Sequence, residues 1–284
     1  MNNFGGDWTR AKIEILVEYA KAYLTIMNQH RYFKLMYFDG FAGTGSITES
    51  ISDSEGHKIE ISTTIGAARR IIELNQPRSF DVYYFVEKEP KKVLMLQEST
   101  QKQFPNKEIH VVEEDCNKKM VDMANYLRNP KHRNYRTLAF VDPCGMQVEW
   151  RSIECLRGLP IDMWILVPTG LGVNRLLKKN GEISDVWLER LEKFLGMDRA
   201  TILDKFYKKT PTLFEEITKV SKEKDAVEKS ASLYQTRLKE VFNFVSQPYV
   251  LKNSSNSVMF HLFLTSNNNA GEKIANDIVR KYTS

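Results

Sequence analysis

The chain has 284 residues, enough for one large α/β domain carrying an insertion or for two modest domains. Lys+Arg 41 against Asp+Glu 36 leaves a net charge of +5, which suits a nucleic-acid partner without requiring one. Three scattered cysteines, Cys116, Cys144 and Cys155, lack C-x-x-C spacing and exclude a disulfide framework or a zinc knuckle. No apolar stretch approaches the roughly 20 residues of a membrane span. Residues 1–10 include Asp7 and no apolar core, so neither a membrane anchor nor a secretory signal is expected there, and the expected compartment is the reducing cytoplasm.

Along residues 10–29, Ile13, Leu16, Val17, Ala20, Leu24 and Met27 recur at spacings of three and four, which predicts an amphipathic helix with Thr9 as its cap. A buried strand follows from Leu35 and ends in Asp39-Gly40-Phe41-Ala42-Gly43-Thr44-Gly45-Ser46. Small residues directly after an apolar strand let the backbone turn sharply and approach a ligand closely. The spacing is not the dinucleotide pattern G-x-G-x-x-G, and no Gly-Lys-Ser/Thr is present to hold a triphosphate. Residues 49–58 read as an irregular loop that covers the ligand, and residues 63–74 as a helix.

The second strand, residues 81–87, ends in Glu87 and leads to a helix over residues 91–103. At the tip of this strand in a doubly wound sheet, a carboxylate can accept from both hydroxyls of a ribose, which makes Glu87 the expected ribose ligand. The third strand, residues 108–112, is followed by Glu113-Glu114-Asp115-Cys116-Asn117 and a helix over residues 118–128. Asp115 could accept from an adenine amino group while Cys116 packs on the ring. The competing reading is that Asp115 or Asn117 only caps the helix. A fourth strand, residues 135–142, delivers Asp142-Pro143-Cys144-Gly145, where the fixed φ of Pro143 holds Asp142 in one place. After a short helix near residues 152–156, a fifth strand spans residues 162–168.

Strands alternating with helices predict a mostly parallel sheet covered on both faces. Residues 1–171 form the core in this reading, and residues 172–224, lysine-rich with helical spacing, form an inserted helical subdomain or lid. Residues 225–284 complete the core with a helix, a β-hairpin of residues 244–251 and 257–265, and a terminal helix. There is no repeat and no low-complexity tract.

The strand ending in an acid before Gly-Thr-Gly resembles the first motif of class I S-adenosylmethionine (SAM)-dependent methyltransferases. Together with Tyr84-Phe85-Val86-Glu87, the run from Phe140 through Asp142-Pro143-Cys144-Gly145 to Trp150, and the closing residues 257–264, it resembles the three-Cys-motif partner protein family of bacteria and phages. The resemblance implies a Rossmann-like, seven-stranded, mostly parallel sheet with a helical insertion before a C-terminal β-hairpin. It also implies SAM as cofactor, bound at Asp39, Gly43, Gly45 and Glu87, and a second protein with a three-cysteine motif as partner; Phe41 in the turn, and Asp115 and Cys116 in the adenine reading given above, complete the expected cofactor site. Methyl transfer to a nitrogen of DNA or RNA would use Asp142 and the carbonyl of Pro143.

One departure matters. Enzymes that methylate an exocyclic amine usually continue Pro-Pro-aromatic, whereas Cys144-Gly145 supplies no stacking ring, leaving Trp150 or Tyr37 as substitutes. Cys144 as a C5-type nucleophile is disfavoured because the Glu-Asn-Val motif of that group is absent. The rival from another class is a binding or partner module that keeps the fold without catalysis. A nicotinamide dehydrogenase is disfavoured by the glycine spacing.

Overall fold

A computed structural model describes residues 6–44, 46–47, 50–52, 58–60, 64–177, 183–211, 218–222 and 225–283. Gly45 and most of the 49–58 loop lie outside the described residues. The chain opens with helix α1, Gly6–Met27, so Thr9 sits within its first turns rather than at its cap. Strand β1 is Lys34–Asp39, and helix α2 is Ala67–Ile72. α2 is shorter than the spacing predicts, because Gly66 is extended at its N-cap and the preceding Thr64–Ile65 pairs as strand with Ser46–Ile47. Consecutive β-branched residues favour that extended form.

Strand β2, Val82–Glu87, leads into α3, Pro90–Gln103; β3, Glu108–Glu113, leads into α4, Cys116–Arg128. Strand β4 is Tyr135–Val141, helix α5 Trp150–Glu154 and strand β5 Ile161–Val167. A π-helical turn over Thr169–Asn174 follows β5, with the Pro168 carbonyl accepting from both Gly172 and Val173 N–H.

The stretch after this turn is not wholly helical. Helices α6, Asp185–Leu195, and α7, Arg199–Phe206, are followed by an antiparallel ribbon of Tyr207–Pro211 and Thr218–Lys222. Tyr207-Lys208-Lys209-Thr210-Pro211 and Thr218-Lys219-Val220-Ser221-Lys222 hold too few apolar residues to show a strand's period of two. Helix α8 is Ala226–Val241, strand β6 Tyr249–Lys252, strand β7 Val258–Ser266 and helix α9 Asn269–Thr283. The strand expected over residues 244–251 is split into Phe244–Val245 and β6. Pro248 lies in the gap, where it has no N–H to contribute to a ladder.

The main sheet runs β3-β2-β1-β4-β5-β7-β6, with the two-residue strand Phe244–Val245 as an eighth that also pairs antiparallel with β7. The first five are mutually parallel, and β7 runs against both β5 and β6. That order, with β7 reversed between the last two positions, is the seven-stranded Rossmann-like methyltransferase arrangement. Alternation along each strand separates two cores: Ile161, Met163 and Ile165 face one side with α4–α8, while Trp164 and Leu166 face the other with α1, α2 and α9. Leu191, Phe194 and Ile202 of the inserted helices are buried in the first of these cores, so α6 and α7 pack as part of the domain. No helix among the described residues is long and apolar enough to cross a membrane.

Candidate active site

The carboxyl ends of β1, β2 and β4 lie side by side, because β1 pairs with both neighbours (Asp39 opposite Phe85 and Phe140). Asp39, Glu87 and Asp142 therefore meet at one rim of the sheet, where ligands of open α/β sheets bind.

Asp39 is only 2% exposed. Its Oδ1 accepts from the Phe41 N–H at 3.1 Å, and the Tyr37 hydroxyl donates to Oδ2 at 3.4 Å. Burial pushes its pKa up to about 7, the nearby Asp142 adds to the rise, and the Phe41 N–H, the Tyr37 hydroxyl and the Lys12 charge oppose it. The hydrogen bond from Phe41 N–H curls the chain back after the strand, and the Ala42 N–H continues the turn by donating to the Val86 carbonyl at 3.0 Å.

Gly43 follows in the left-handed region at φ +63°, with nothing among the described residues within 4 Å of where a Cβ would stand. Its N–H donates to Glu87 Oε2 at 3.0 Å, and the N–H groups of Lys88 and Glu89 donate to Oε1 at 2.8 and 2.9 Å. The glycine turn and the β2 tip are thus one unit. Gly40 works differently: a Cβ there would lie 2.5 Å from Cys116 Sγ, so the missing side chain lets the turn press against the start of α4.

Asp115 caps α4, its Oδ1 accepting from the Asn117 N–H at 2.9 Å, while Lys88 Nζ lies 3.5 Å from Oδ2. Of the two capping candidates, Asp115 takes the position. Cys116 is buried, and burial pushes its thiol pKa well above the usual range.

Asp142, just past β4, forms an ion pair at 2.5 Å with Lys12 of α1. Sequence reasoning missed Lys12. The available signal was its place on the apolar stripe of α1, one turn ahead of Ile15 and Leu16 and two ahead of Tyr19. Asn117, a capping candidate by sequence, is a brace instead: its Oδ1 accepts from the Glu149 N–H at 2.7 Å and the Ser152 hydroxyl at 3.0 Å, and its Nδ2 donates to the Gln147 carbonyl at 2.9 Å. With Gln147 Oε1 accepting from the Cys144 N–H at 3.0 Å, these bonds brace the loop that carries Asp142 and Pro143.

Two expected stacking substitutes are in the core. Tyr37 is fully buried, and Trp150 packs edge-on against Tyr234, 5.8 Å between centroids, with the Arg237 guanidinium 4.3 Å above it. Cys144 is exposed.

No family model matches the chain, and no curated protein matches it. Among solved structures, a Legionella pneumophila protein of family DUF519 is similar at 16% identity over 90% of this chain and 97% of its own, with a TM-score of 0.39. An rRNA methylase from Streptococcus thermophilus is 9% identical over 90% and 95%, with a TM-score of 0.35. Trm1 from Pyrococcus horikoshii, in complex with S-adenosyl-L-methionine, is 12% identical over 96% and 71%, with a TM-score of 0.39. These overlaps are loose, and the architecture rests on the strand order itself.

Proposed function

We propose that this chain is a SAM-dependent methyltransferase acting on a nitrogen of nucleic acid. The observation that carries the reading is the pairing of Asp39 and Glu87 at neighbouring strand tips, with the bare Gly43 turn bonded between them. The residues present fit SAM. Among the described residues nothing stands in front of Gly43, where a side chain would intrude, and a carboxylate with about four acceptor positions offers one more beyond the three N–H groups Glu87 receives.

In this reading Gly43 and Glu87 hold the methionine and ribose portions, with Phe41 lining the turn and Asp115 and Cys116 at the adenine. SAM, when bound, supplies a methyl group already activated on a sulfonium. The protein's own contribution is placement, which can be worth ~7 to 11 kcal/mol. Asp142 accepts a hydrogen bond from the attacking amine at Oδ1, while Lys12 on Oδ2 fixes the direction of the carboxylate. The Pro143 carbonyl is the second acceptor for the amine.

Calorimetry with SAM tests the cofactor assignment. Binding should be lost in Asp39→Ala and Glu87→Ala, and tight binding that neither change weakens refutes the site.

A second reading, a partner module that retains the pocket without catalysis, is favoured by the burial of Tyr37 and Trp150 beside a Pro-Cys-Gly sequence that has no ring of its own. A second protein with a three-cysteine motif would be its partner, as the sequence resemblance implies. A labelled-methyl assay on DNA, RNA and cell protein separates the two, since a module transfers nothing despite binding SAM.

A further inference from the structure

The amino ends of the same strands form a surface of different chemistry. Two segments meet there, residues 28–34 leading into β1 and residues 128–136 leading into β4, joined by the pairing of Lys34 with Tyr135. Together they carry Arg31, Lys34, Arg128, Lys131, Arg133 and Arg136 and no Asp or Glu, a local charge larger than the +5 of the whole chain. Elsewhere the described surface cations commonly sit beside acids, as in Lys118–Glu114, Lys119–Asp122 and Lys193–Glu189. Here Arg31, Lys34, Lys131 and Arg133 are exposed, and none is ion-paired among the described residues. Two acids at the starts of neighbouring strands have partners of their own, Asp81 with Arg78 at 3.0 Å and Glu108 with His110 at 3.2 Å.

Aromatic rings are interleaved with these charges. Tyr32, 69% exposed, packs against Phe33 with centroids 4.0 Å apart and ring planes tilted by 41°, and the Arg136 guanidinium covers Phe33 at 3.6 Å. An open tyrosine thus stands beside a ring already covered by a guanidinium. Beside it, Tyr126 stacks on His132 at 3.6 Å and meets Tyr135 edge-on at 5.3 Å, with Lys34 Nζ 5.9 Å from the Tyr135 centroid.

Exposed cations without carboxylate partners, interleaved with aromatic rings, suit a chain with a phosphate on every unit and a free π-face on every base. A duplex hides its base faces, and an acidic peptide offers nothing to stack. Unpaired bases are presented chiefly by loops and single-stranded stretches of RNA. We propose that this edge binds a single-stranded segment of RNA. It lies roughly 17 Å along β1 from the Gly43 rim, so it anchors the RNA away from the methyl-transfer site. The proposal shares with the preceding reading only the class of partner. Binding is measured without SAM, so a protein that transfers no methyl group can still bind here, and one that does not bind here can still transfer.

The test is fluorescence anisotropy of the full chain with a labelled oligouridylate about 12 nucleotides long. Tyr32→Ala is expected to weaken binding roughly tenfold by removing the stacking platform. Lys131→Glu with Arg133→Glu should weaken it further and lower the slope of log affinity against log salt by about 1.4. Lys273→Glu, on the exposed side of α9, should leave it unchanged. Affinity that survives both sets of changes, or a duplex bound as tightly as the single strand, overturns the proposal. Ultraviolet crosslinking in cells should give an RNase-sensitive adduct that Tyr32→Ala removes, and an adduct sensitive only to DNase overturns the choice of RNA.

Discussion

Lys12 Nζ and Asp142 Oδ2 lie 2.5 Å apart although 130 positions separate them, with side chains only 9% and 17% exposed. The pair ties the helix that opens the fold to the loop that ends β4. Removing one partner of a buried pair strands the other charge, which costs about 3 to 5 kcal/mol, whereas an exposed pair is worth about 1 kcal/mol or less. Lys12→Met should therefore lower unfolding free energy by about 3 kcal/mol in urea titration. The double change Lys12→Met with Asp142→Leu should recover most of that loss while abolishing methyl transfer. A loss below about 0.5 kcal/mol for the single change would show the pair behaving as an exposed one.

The glycine turn has two differently constrained positions. Gly43→Val places a β-branched residue at φ +63°, a strain of about 1 to 3 kcal/mol, and fills the open space before the turn. SAM affinity measured by calorimetry should fall at least roughly tenfold, since 1.4 kcal/mol already accounts for that factor. Gly40→Ala should destabilise by meeting Cys116 Sγ, and adding Cys116→Ala should relieve it, because the obstructing atom is then gone. Additive losses in that pair would show that the close approach is not what Gly40 provides.

Two buried groups give opposite pH dependences. Asp39, raised to about 7, binds its proton more readily folded than unfolded, so its contribution to stability falls as pH rises from about 4 to 7. His261, hydrogen-bonded to Thr169 and lowered to about 4 by burial, makes stability rise with pH between about 4 and 6.5. In the wild type these two contributions oppose each other over this range. Asp39→Asn should expose the rising limb and His261→Gln the falling one, each by a few kcal/mol, on the order of 1.4 kcal/mol per unit. A flat profile in both variants would contradict the assignments.

Gly170, inside the π-helical turn after β5, faces backbone: a Cβ would lie 1.9 Å from the Val258 carbonyl oxygen. A backbone atom at that distance has no rotamer to yield. Gly170→Ala should cost about 1 to 3 kcal/mol or more and lower the melting temperature, without a compensating side-chain change at Val258.

Much of this fold was legible because strands buried on both faces leave apolar runs, and the acids that end them stand out against those runs. Asp39, Glu87 and Asp142 could be marked that way. The ribbon within the insertion was not legible, since its strands carry too few apolar residues to mark a period, and the split before β6 turned on the single donor missing from Pro248. Trp150 and Tyr37 could be named as rings but not placed. The same side chain serves as platform or core depending on which helix covers it, and α8 and the β1 neighbours cover these two.

Local pattern, then, determined the strands, their acidic tips and the bare turn, since each depends on residues close together in the chain. Charge state and purpose at the rim came from elsewhere. β1 sits between β2 and β4 in space while lying before both in sequence, and that crossover sets Asp39 against Asp142 and both beneath Lys12. Coulomb energy depends on distance and on the surrounding medium, and both are properties of the packed chain.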